Sequence, residues 1–317
     1  MNIKEIYDYV VDKGIEKDPR KREGVEEMLA REKKKYDEMK ENEKKDFDVE
    51  SLTNPYSDTR ILCGDPETEV KRMMVGVDME VGEVLLADRL GEKGRPVDLI
   101  MAHHPEGKAL AGLHYVMHLQ EDILARYGVP INVAEGIMAS RISEVKRGLM
   151  PLNHNRAIDV AKILDLAMMS AHTVADNQVS TFLQDMFDKE EPRTLGDIIT
   201  LLKDIPEYAE AAKHGAGPDI VLGSKERRAG KVLVDMTGGT GGSDKIYAKL
   251  SQAGVGTVVC MHISDKNREQ AEKNHVNVVI AGHIASDSVG INLLLDGIEQ
   301  KGVEIIPCSG IIRNKRN

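Results

Sequence analysis

The chain has 317 residues, of which 41% are hydrophobic, 30% are charged and only 3% are aromatic. This composition predicts about two domains with an aliphatic core. The net charge of −10 disfavours nucleic acid as a partner, because binding to phosphates requires clustered Lys and Arg side chains.

Cysteine usage and hydropathy point to a reducing, aqueous compartment. Cys63, Cys260 and Cys308 are scattered and form no CxxC pair, which argues against a disulfide framework and against a thiolate zinc site. The chain opens with charged residues rather than a signal-peptide pattern, and no apolar stretch approaches the roughly 20 residues that span a bilayer. We therefore expect a soluble, cytoplasmic protein with no membrane partner.

The N-terminal residues 1–55 form a charged extension. Among the first 50 residues, 29 are Lys, Arg, Asp or Glu. Apolar residues recur at helical spacing over 2–16 and again over 24–40, which predicts two amphipathic helices. We expect a helical hairpin that packs on the body of the protein or on a neighbouring subunit; the alternative is a separate binding module.

Beyond the extension, short apolar runs typical of strands alternate with helical patterns. The predicted strands of the first part lie at 73–79, 97–104, 129–136 and 168–173. The predicted helices lie at 81–90, 110–127, 137–149 and 154–167. This alternation predicts a layered α/β lobe over residues 56–180, with strands buried on both faces.

A helical middle section over residues 181–217 separates this lobe from a second one over 218–317. The predicted strands of the second lobe lie at 219–224, 231–236, 256–262, 276–283 and 303–308. We therefore expect an α/β protein with two lobes and an N-terminal helical extension.

The two predicted lobes resemble each other in sequence. The segment VGVD at 75–78 leads through a helix to a strand that ends at His104, and VLVD at 232–235 leads in the same way to His262. The separations from Asp to His are 26 and 27 residues. Two similar lobes that face each other would bring strand-end histidines into one cleft; chance similarity between Val-rich strands is the alternative.

The strongest chemical signal is the histidine pair in the sequence MAHHP at 101–105. His103 and His104 end an apolar strand, and Pro105 interrupts it. Consecutive side chains of a strand point to opposite sides, but the pleat relaxes at a strand end. Adjacent histidines can there serve two different metal ions. An isolated pair of this kind is more often one buried and one exposed histidine.

Two later motifs add carboxylates to this picture. His172 is followed by Asp176 after a predicted strand, and His283 is followed by Asp287 after another. In a helical turn, His283 and Asp287 would share one face, because they are four residues apart. The alternative for each aspartate is a cap of the following helix.

Taken together, three strand ends supply five nitrogen and oxygen ligands without a thiolate. The candidate metal ligands are His103, His104, Asp176, His283 and Asp287. Such a set suits two divalent ions, of Zn, Mn, Fe, Ni or Co, with positions left open for water. We predict a dinuclear metal site in the cleft between the two lobes.

The motifs HHP, HTxxD and GHxxxD, in this order, resemble those of the Nif-three-like family, also called the GTP cyclohydrolase I type 2 family. The resemblance covers about residues 55–317. It implies a two-lobed α/β fold around a dinuclear metal site and a closed homo-oligomer. Asp287 stands where the family usually has Glu, Glu106 and Lys108 stand where it usually has apolar residues, and the N-terminal extension has no counterpart.

Several other residues of the predicted cleft have two interpretations. His172 and His262 are candidates for contacts with the metal ligands or the substrate, or else serve packing. Asp78 and Asp235 end strands and are caps or partners of ligands. The Gly-rich segment 238–245 is interpreted as a tight turn; its amides as an anion cradle are the alternative.

We predict a metal-dependent hydrolase that uses a metal-activated water on a small substrate, for which a nucleotide-like molecule is one candidate, and that requires no serine or cysteine nucleophile. A non-catalytic metal-binding regulatory or scaffold protein is the main alternative. A DHH-like phosphoesterase is a weaker one, because Ala102 rather than Asp precedes the histidine pair. The expected partners are a small-molecule substrate and further copies of this chain.

Overall fold

The computed structural model describes residues 1–316 and contains two β-sheets with helices between and around them. The strands are β1 (Thr59–Cys63), β2 (Arg72–Gly76), β3 (Leu99–Ala102), β4 (Met168–Ala171), β5 (Asp219–Leu222), β6 (Lys231–Asp235), β7 (Val255–Cys260), β8 (Asn277–Ile280) and β9 (Glu304–Pro307). The α/β class predicted from the alternating patterns is confirmed.

Fifteen α-helices are present in this part of the chain. They are α1 (Ile3–Glu16), α2 (Lys21–Glu38), α3 (Glu41–Lys44), α4 (Val81–Glu92), α5 (Gly107–Ala111), α6 (Leu113–Val116), α7 (Leu119–Arg126), α8 (Ile131–Leu149), α9 (Arg156–Ile163), α10 (Thr173–Glu190), α11 (Leu195–Lys203), α12 (Pro206–Lys213), α13 (Ile246–Gln252), α14 (Asp265–Lys273) and α15 (His283–Gln300). Within residues 1–316, none of these helices combines the length and apolar character needed to span a bilayer.

The two sheets repeat one strand order. The first sheet has the order β1-β4-β3-β2-β9, and the second has β5-β8-β7-β6. In both, an antiparallel edge strand is followed by parallel strands, four in the first sheet and three in the second. The prediction of two similar α/β lobes is therefore confirmed at the level of topology.

The chain path departs from the predicted boundaries in two places. Strand β9 pairs in parallel with β2, so the end of the segment 218–317 returns to the first sheet. Helices α7 and α8, which belong to the segment 56–180, pack against the outer face of the second sheet. Buried strands that are apolar on both faces carry no signal for which sheet they join, so the sequence pattern could not assign these pairings.

The strand predicted over 129–136 is wrong, because helix α8 occupies this segment from Ile131 onward. Pro130 immediately precedes the helix, and Ala134, Met138 and Ile142 are buried at every fourth position. This spacing places them on one helical face. The pattern also missed β1, and it merged α5, α6 and α7 into one helix.

Both sheets are covered on both faces, which explains their nearly continuous apolar strands. In β2, Met73 and Val75 face a core shared with α1 and α15, whereas Met74 faces α4 and α9. In β6, Val232 faces α10 and α15, whereas Leu233 faces α8 and α13. Helices α10 and α15 thus form a layer between the two sheets and contribute to a core on each side.

Close packing of α10 on α15 fixes the centre of the molecule. A Cβ atom added to Gly290 of α15 would collide with the carbonyl oxygen of Ala175 in the first turn of α10. Only glycine allows the two helix backbones to approach so closely at this point. The N-terminal ends of the two helices are thereby held side by side.

The N-terminal extension packs on the body of this same chain. Ile3, Ile6 and Val10 of α1 are fully buried in the core that includes the first sheet. An ion pair also holds the extension on the body, because the buried Arg60 contacts Asp48. The interpretation as a hairpin packed on the body is supported over that of a separate module.

Candidate metal centre

The histidine pair continues the pairing of β3 beyond its last residue. The backbone N–H of His103 donates to the carbonyl oxygen of Gly76 (2.9 Å), and that of His104 donates to the carbonyl oxygen of Val77 (2.9 Å). His103 is buried, whereas His104 is partly exposed to the cleft between the sheets. Both rings are therefore set by backbone pairing and not by a mobile loop.

The two His-Asp motifs lie at corresponding places in the two halves of the central helix layer. His172 is the N-cap residue of α10, and Asp176 lies in the first turn of that helix. Gly282, with φ of 119°, is the N-cap residue of α15, which begins at His283 and includes Asp287. Neither aspartate is a helix cap, so the capping alternative is wrong for both.

The structure brings all five predicted ligands together in two overlapping trios. The first trio consists of His103, Asp176 and Asp287, and the second of His104, His283 and Asp287. In each trio, the possible ligand atoms lie within 4.8 Å of one another. Asp287 is common to both, so one carboxylate faces both possible ion positions.

Within the trios, the two carboxylate oxygens of Asp287 lie near different histidine nitrogens. Its Oδ1 lies 3.3 Å from Nε2 of His103. Its Oδ2 lies 3.7 Å from Nε2 of His104 and 3.7 Å from Nε2 of His283. Nε2 of His103 also lies 3.5 Å from Oδ1 of Asp176. Such gaps between donor atoms leave room for cations among them.

Three histidines of the centre are oriented through Nδ1. The partner of His104 Nδ1 is Oδ1 of Asp78 at 2.7 Å, and that of His103 Nδ1 is the carbonyl oxygen of Ala171 at 3.2 Å. With Nδ1 engaged in this way, Nε2 is directed toward the centre of the cluster. Histidine ligands of metals usually have such a partner on the second ring nitrogen.

The partner of the third histidine was missed from the sequence. Oδ2 of Asp58 lies 2.9 Å from His172 Nδ1 and accepts a hydrogen bond from Thr173 Oγ1 (2.6 Å). Asp58 is fully buried and directly precedes β1, the strand that the sequence pattern did not predict. Without that strand, no motif pointed to Asp58.

Buried polar atoms without hydrogen-bond partners provide a test of whether metal ions fit this centre. Among the described residues, Nε2 of His103, Oδ1 of Asp176 and both carboxylate oxygens of Asp287 are buried without such a partner. Leaving polar atoms unsatisfied in the interior is costly, and most are paired in native proteins. Cations held between these atoms would satisfy all four, so the donor set fits divalent metal ions.

The pKa values reflect this crowding of acids and bases. Burial raises the pKa of Asp176 to about 6, although His172 and His103 act in the opposite direction. Burial lowers the pKa of His104 to about 4, and the neighbouring His103 and His172 add to this effect. Burial also disfavours charge on His103, but the Asp287 carboxylate outweighs it and leaves the pKa of His103 raised.

The centre opens into a cleft of about 290 Å³ between the two sheets. Its lining includes His104, His172, Asp176, His283 and Asp287 together with Asp235, Thr237, Gly239, Tyr247, Cys260 and His262. The ring centroids of His262 and His283 are 5.1 Å apart. The facing lobes thus bring strand-end histidines from both sheets into one cleft, as the sequence similarity predicted.

The Gly-rich loop forms part of the cleft wall and is anchored from outside. Nε2 of Gln120 donates hydrogen bonds to the carbonyl oxygens of Gly238 (2.7 Å) and Thr240 (2.6 Å). Gly238 and Gly239 have φ values of 91° and 85°, which glycine adopts without strain. The segment is therefore a tight turn, held in a defined position.

Comparison with known proteins was made by sequence and by structure. The sequence matches no family model and no curated protein. The structure is similar to that of a NIF3 superfamily protein from Sphaerobacter thermophilus, with 28% sequence identity and a TM-score of 0.70 over 80% of this chain and 91% of that one. The chain has a NIF3-like fold.

A second similarity is limited to the fold. HcgD from Methanocaldococcus jannaschii matches with 17% identity and a TM-score of 0.50, covering 82% of this chain and 92% of that chain. The resemblance to the Nif-three-like family inferred from the HHP, HTxxD and GHxxxD motifs is supported by the structural similarity to the Sphaerobacter thermophilus protein.

Proposed function

We propose that this protein binds two divalent metal ions in the His/Asp centre and acts as a metal-dependent hydrolase on a small molecule. The observation that carries the proposal is the Asp287 carboxylate, which is buried, unsatisfied at both oxygens and common to both trios. A pair of divalent ions supplies Lewis acidity and a water of lowered pKa, which removes the need for a protein nucleophile.

The side chains divide into two sets of ligands under this proposal. His103, Asp176 and Asp287 would hold one ion, and His104, His283 and Asp287 would hold the other. The ligand set contains only nitrogen and oxygen donors, which suits Zn, Mn, Fe, Ni or Co.

Other residues of the centre orient ligands and exchange protons. Asp78 holds His104 so that Nε2 faces the cleft, and Asp58 does the same for His172. Nε2 of His172 lies 3.7 Å from Oδ2 of Asp176. His172 and His262 both line the cleft and are therefore placed to give a proton to a leaving group or take one from the substrate.

Metal content is the first test of the proposal. Protein purified without chelator, or reconstituted at neutral pH, should contain close to two divalent ions per chain by elemental analysis. The metal-loaded and chelator-treated proteins are then compared on pools of phosphoesters, nucleotides and cyclic amides, with hydrolysis expected only from the loaded form.

Two outcomes would contradict the proposal in different ways. If no metal binds after reconstitution, the ligand assignment fails. If two ions bind tightly but no pool is hydrolysed, the observation favours a non-catalytic metal-binding scaffold instead.

We also propose that the protein is cytoplasmic and forms a closed homo-oligomer. Cys63, Cys260 and Cys308 are all unpaired, as expected in a reducing compartment. Large apolar side chains such as Ile163 and Met150 are 79% and 70% exposed, and burial against further copies would remove them from water. Light scattering that gives the mass of a monomer at micromolar concentration would contradict the oligomer.

A further inference from the structure

The part of the cleft wall that follows β6 has a chemical character of its own. It is formed by the end of β6, the anchored turn after it, and the start of α13, and it includes Asp235, Thr237 and Tyr247. Among the described residues, neither Lys nor Arg lines the cleft. A carboxylate on this wall therefore faces the cavity without a cationic neighbour.

That carboxylate belongs to Asp235. It is partly buried at the end of β6, and it has no hydrogen-bond or ion-pair partner in the described part of the chain. Burial alone raises the pKa of Asp235 to about 6. The carboxylate remains largely charged at neutral pH, although leaving it unpaired in this position costs free energy.

Strand register explains why Asp235 is unpaired, whereas its counterpart in the first sheet is not. Gly76 pairs with Ala102, which places Asp78 level with His104, and the two side chains are hydrogen-bonded at 2.7 Å. Asp235 instead pairs with Cys260, two residues before His262. Asp235 therefore cannot orient the strand-end histidine in the way that Asp78 does.

The groups around Asp235 form a pocket with an aromatic side chain. Tyr247 is 2% exposed, and burial raises its pKa, so its hydroxyl is neutral. Burial likewise raises the pKa of the Cys260 thiol, which stays protonated. Neither group is a cation that could balance the charge of Asp235, so a cationic ligand that enters the cleft would meet an uncompensated carboxylate.

We propose that Asp235 is a substrate-recognition residue that binds an N–H donor group, of the amidine, guanidine or amino-substituted ring type, on a substrate whose other end reaches the His/Asp centre. Two adjacent N–H groups can pair with the two oxygens of one carboxylate in a bidentate arrangement, which gives both affinity and orientation. The anchored turn keeps this wall in place before the substrate arrives.

The place of this pocket in a substrate site rests on the proposed function, but its chemistry can be tested without metal. Benzamidine is a suitable probe, because it is a planar cation with two N–H groups on one edge. Benzoate has the same shape and the opposite charge. Binding of each to the chelator-treated, full-length protein is measured by calorimetry or by ligand-observed NMR.

Benzamidine should bind to the wild-type protein, and benzoate should not. Asp235→Asn should weaken benzamidine binding by about tenfold or more, because a charge-assisted pair is replaced by a neutral one that also presents a donor. Asp265→Asn is the matched control: it removes the same charge from an exposed position on α14 and should leave the affinity unchanged.

Folding of the variants is checked by circular dichroism and thermal unfolding. Asp235→Asn and Asp235→Ala should have a Tm no lower than that of the wild type, because both remove an unpaired, partly buried charge. Equal benzamidine affinity in wild type and folded Asp235→Asn, or no binding by the wild type at millimolar probe, would overturn the proposal.

Metal content measured on the same samples separates this proposal from the proposed function. Asp235 belongs to neither trio, so Asp235→Asn should retain two ions. If the wild type binds no metal but binds benzamidine in an Asp235-dependent way, the hydrolase proposal fails and the proposal for Asp235 stands. If the wild type binds two ions but Asp235→Asn does not change benzamidine affinity, the proposal for Asp235 fails and the metal-binding part of the proposed function stands.

Discussion

In the first sheet, β3 leads into His103 and His104, whereas in the second sheet β7, at the same place in the strand order, leads into Met261 and His262. The strand that precedes each in the chain ends near an aspartate, Asp78 or Asp235. Only the first of these pairs places an aspartate against a histidine. The two strand ends thus differ, because a carboxylate orients His104, whereas Asp235 is not hydrogen-bonded to His262.

This difference results from register rather than from residue type. The Asp-to-His separations of 26 and 27 residues suggest equivalent pairs in the two lobes. Between the paired strands, however, Asp78 is level with His104, whereas Asp235 is level with Cys260. Because the level of pairing decides which side chains meet across neighbouring strands, similar motifs acquire different chemical roles.

The central helices are more alike than the strands. Each of α10 and α15 has a His at or next to its start and an Asp four residues later, and the two aspartates meet in the first trio. The glycine contact between α15 and α10 keeps these helix ends together. The centre is therefore built across the two halves, and neither half contains it alone.

The largest expected effect on metal binding comes from removing the Asp287 carboxylate. Asp287→Ala should remove both proposed ions, with a loss of affinity greater than the roughly 10–100-fold that follows loss of an outer partner. Asp287→Asn, which keeps one oxygen, should lower the affinity for at least one ion. Elemental analysis and competition with a chromophoric chelator measure both.

Asp235→Ala is the comparison for this prediction, because it removes another carboxylate that lines the same cleft. It should retain both ions. Two tightly bound ions in Asp287→Ala would show that Asp287 is not shared between the ion positions.

The Asp78–His104 pair tests whether register gives the first sheet its metal-binding role. Asp78→Ala should lower the affinity for one of the two ions by roughly 10–100-fold, because His104 loses the group that orients its ring. The ion assigned to His103 should be retained, since His103 is oriented by a backbone carbonyl. An equal loss of affinity for both ions would contradict the assignment of different histidines to the two ions.

The contact between the helices can be tested through glycine. Gly290→Ala should lower the free energy of unfolding by roughly 1–3 kcal/mol, because its methyl group collides with the Ala175 backbone. It should also weaken metal binding, since α15 carries His283 and Asp287. The matched control is Gly136→Ala in α8, where nothing lies within 4 Å.

Gly136→Ala should be neutral or should stabilise the protein by about 0.5–1 kcal/mol, as expected for replacing an exposed helical glycine. Chemical denaturation of both variants gives the two values. If both substitutions behave alike, the close approach of α15 to α10 does not stabilise the fold.

A smaller effect is expected from pH. The pKa of His103 is raised, so this imidazole holds a proton more tightly in the metal-free protein, and a metal ion must displace that proton. Apparent metal affinity should therefore fall as pH drops from 7.5 to 5.5, by up to about tenfold per pH unit for each displaced proton. A flat profile in chelator competition would argue against imidazole ligands.

Much of the candidate site was predictable because its signals are local. The His-Asp spacing in His283 and Asp287 matches one helical turn, and the pair His103 and His104 stands at the end of an apolar run. Such patterns depend only on residues a few positions apart. The α/β class and the family resemblance followed from the same kind of signal.

The remaining features depend on contacts between segments that are distant in the sequence. Periodicity did not indicate that Asp58 would hold His172 from 114 residues away, or that β9 would pair with β2. Val-rich strands buried on both faces can pair in several orders, and only the packed cores select one.

The sequence by itself thus determined the layered α/β class, the Nif-three-like resemblance and the five candidate ligands, because these follow from short-range spacing. Tertiary structure alone decided that Asp287 belongs to both trios, that Asp78 orients a histidine and that Asp235 faces the cleft unpaired. Strand register and helix packing set these contacts, and each requires that distant segments meet in one arrangement.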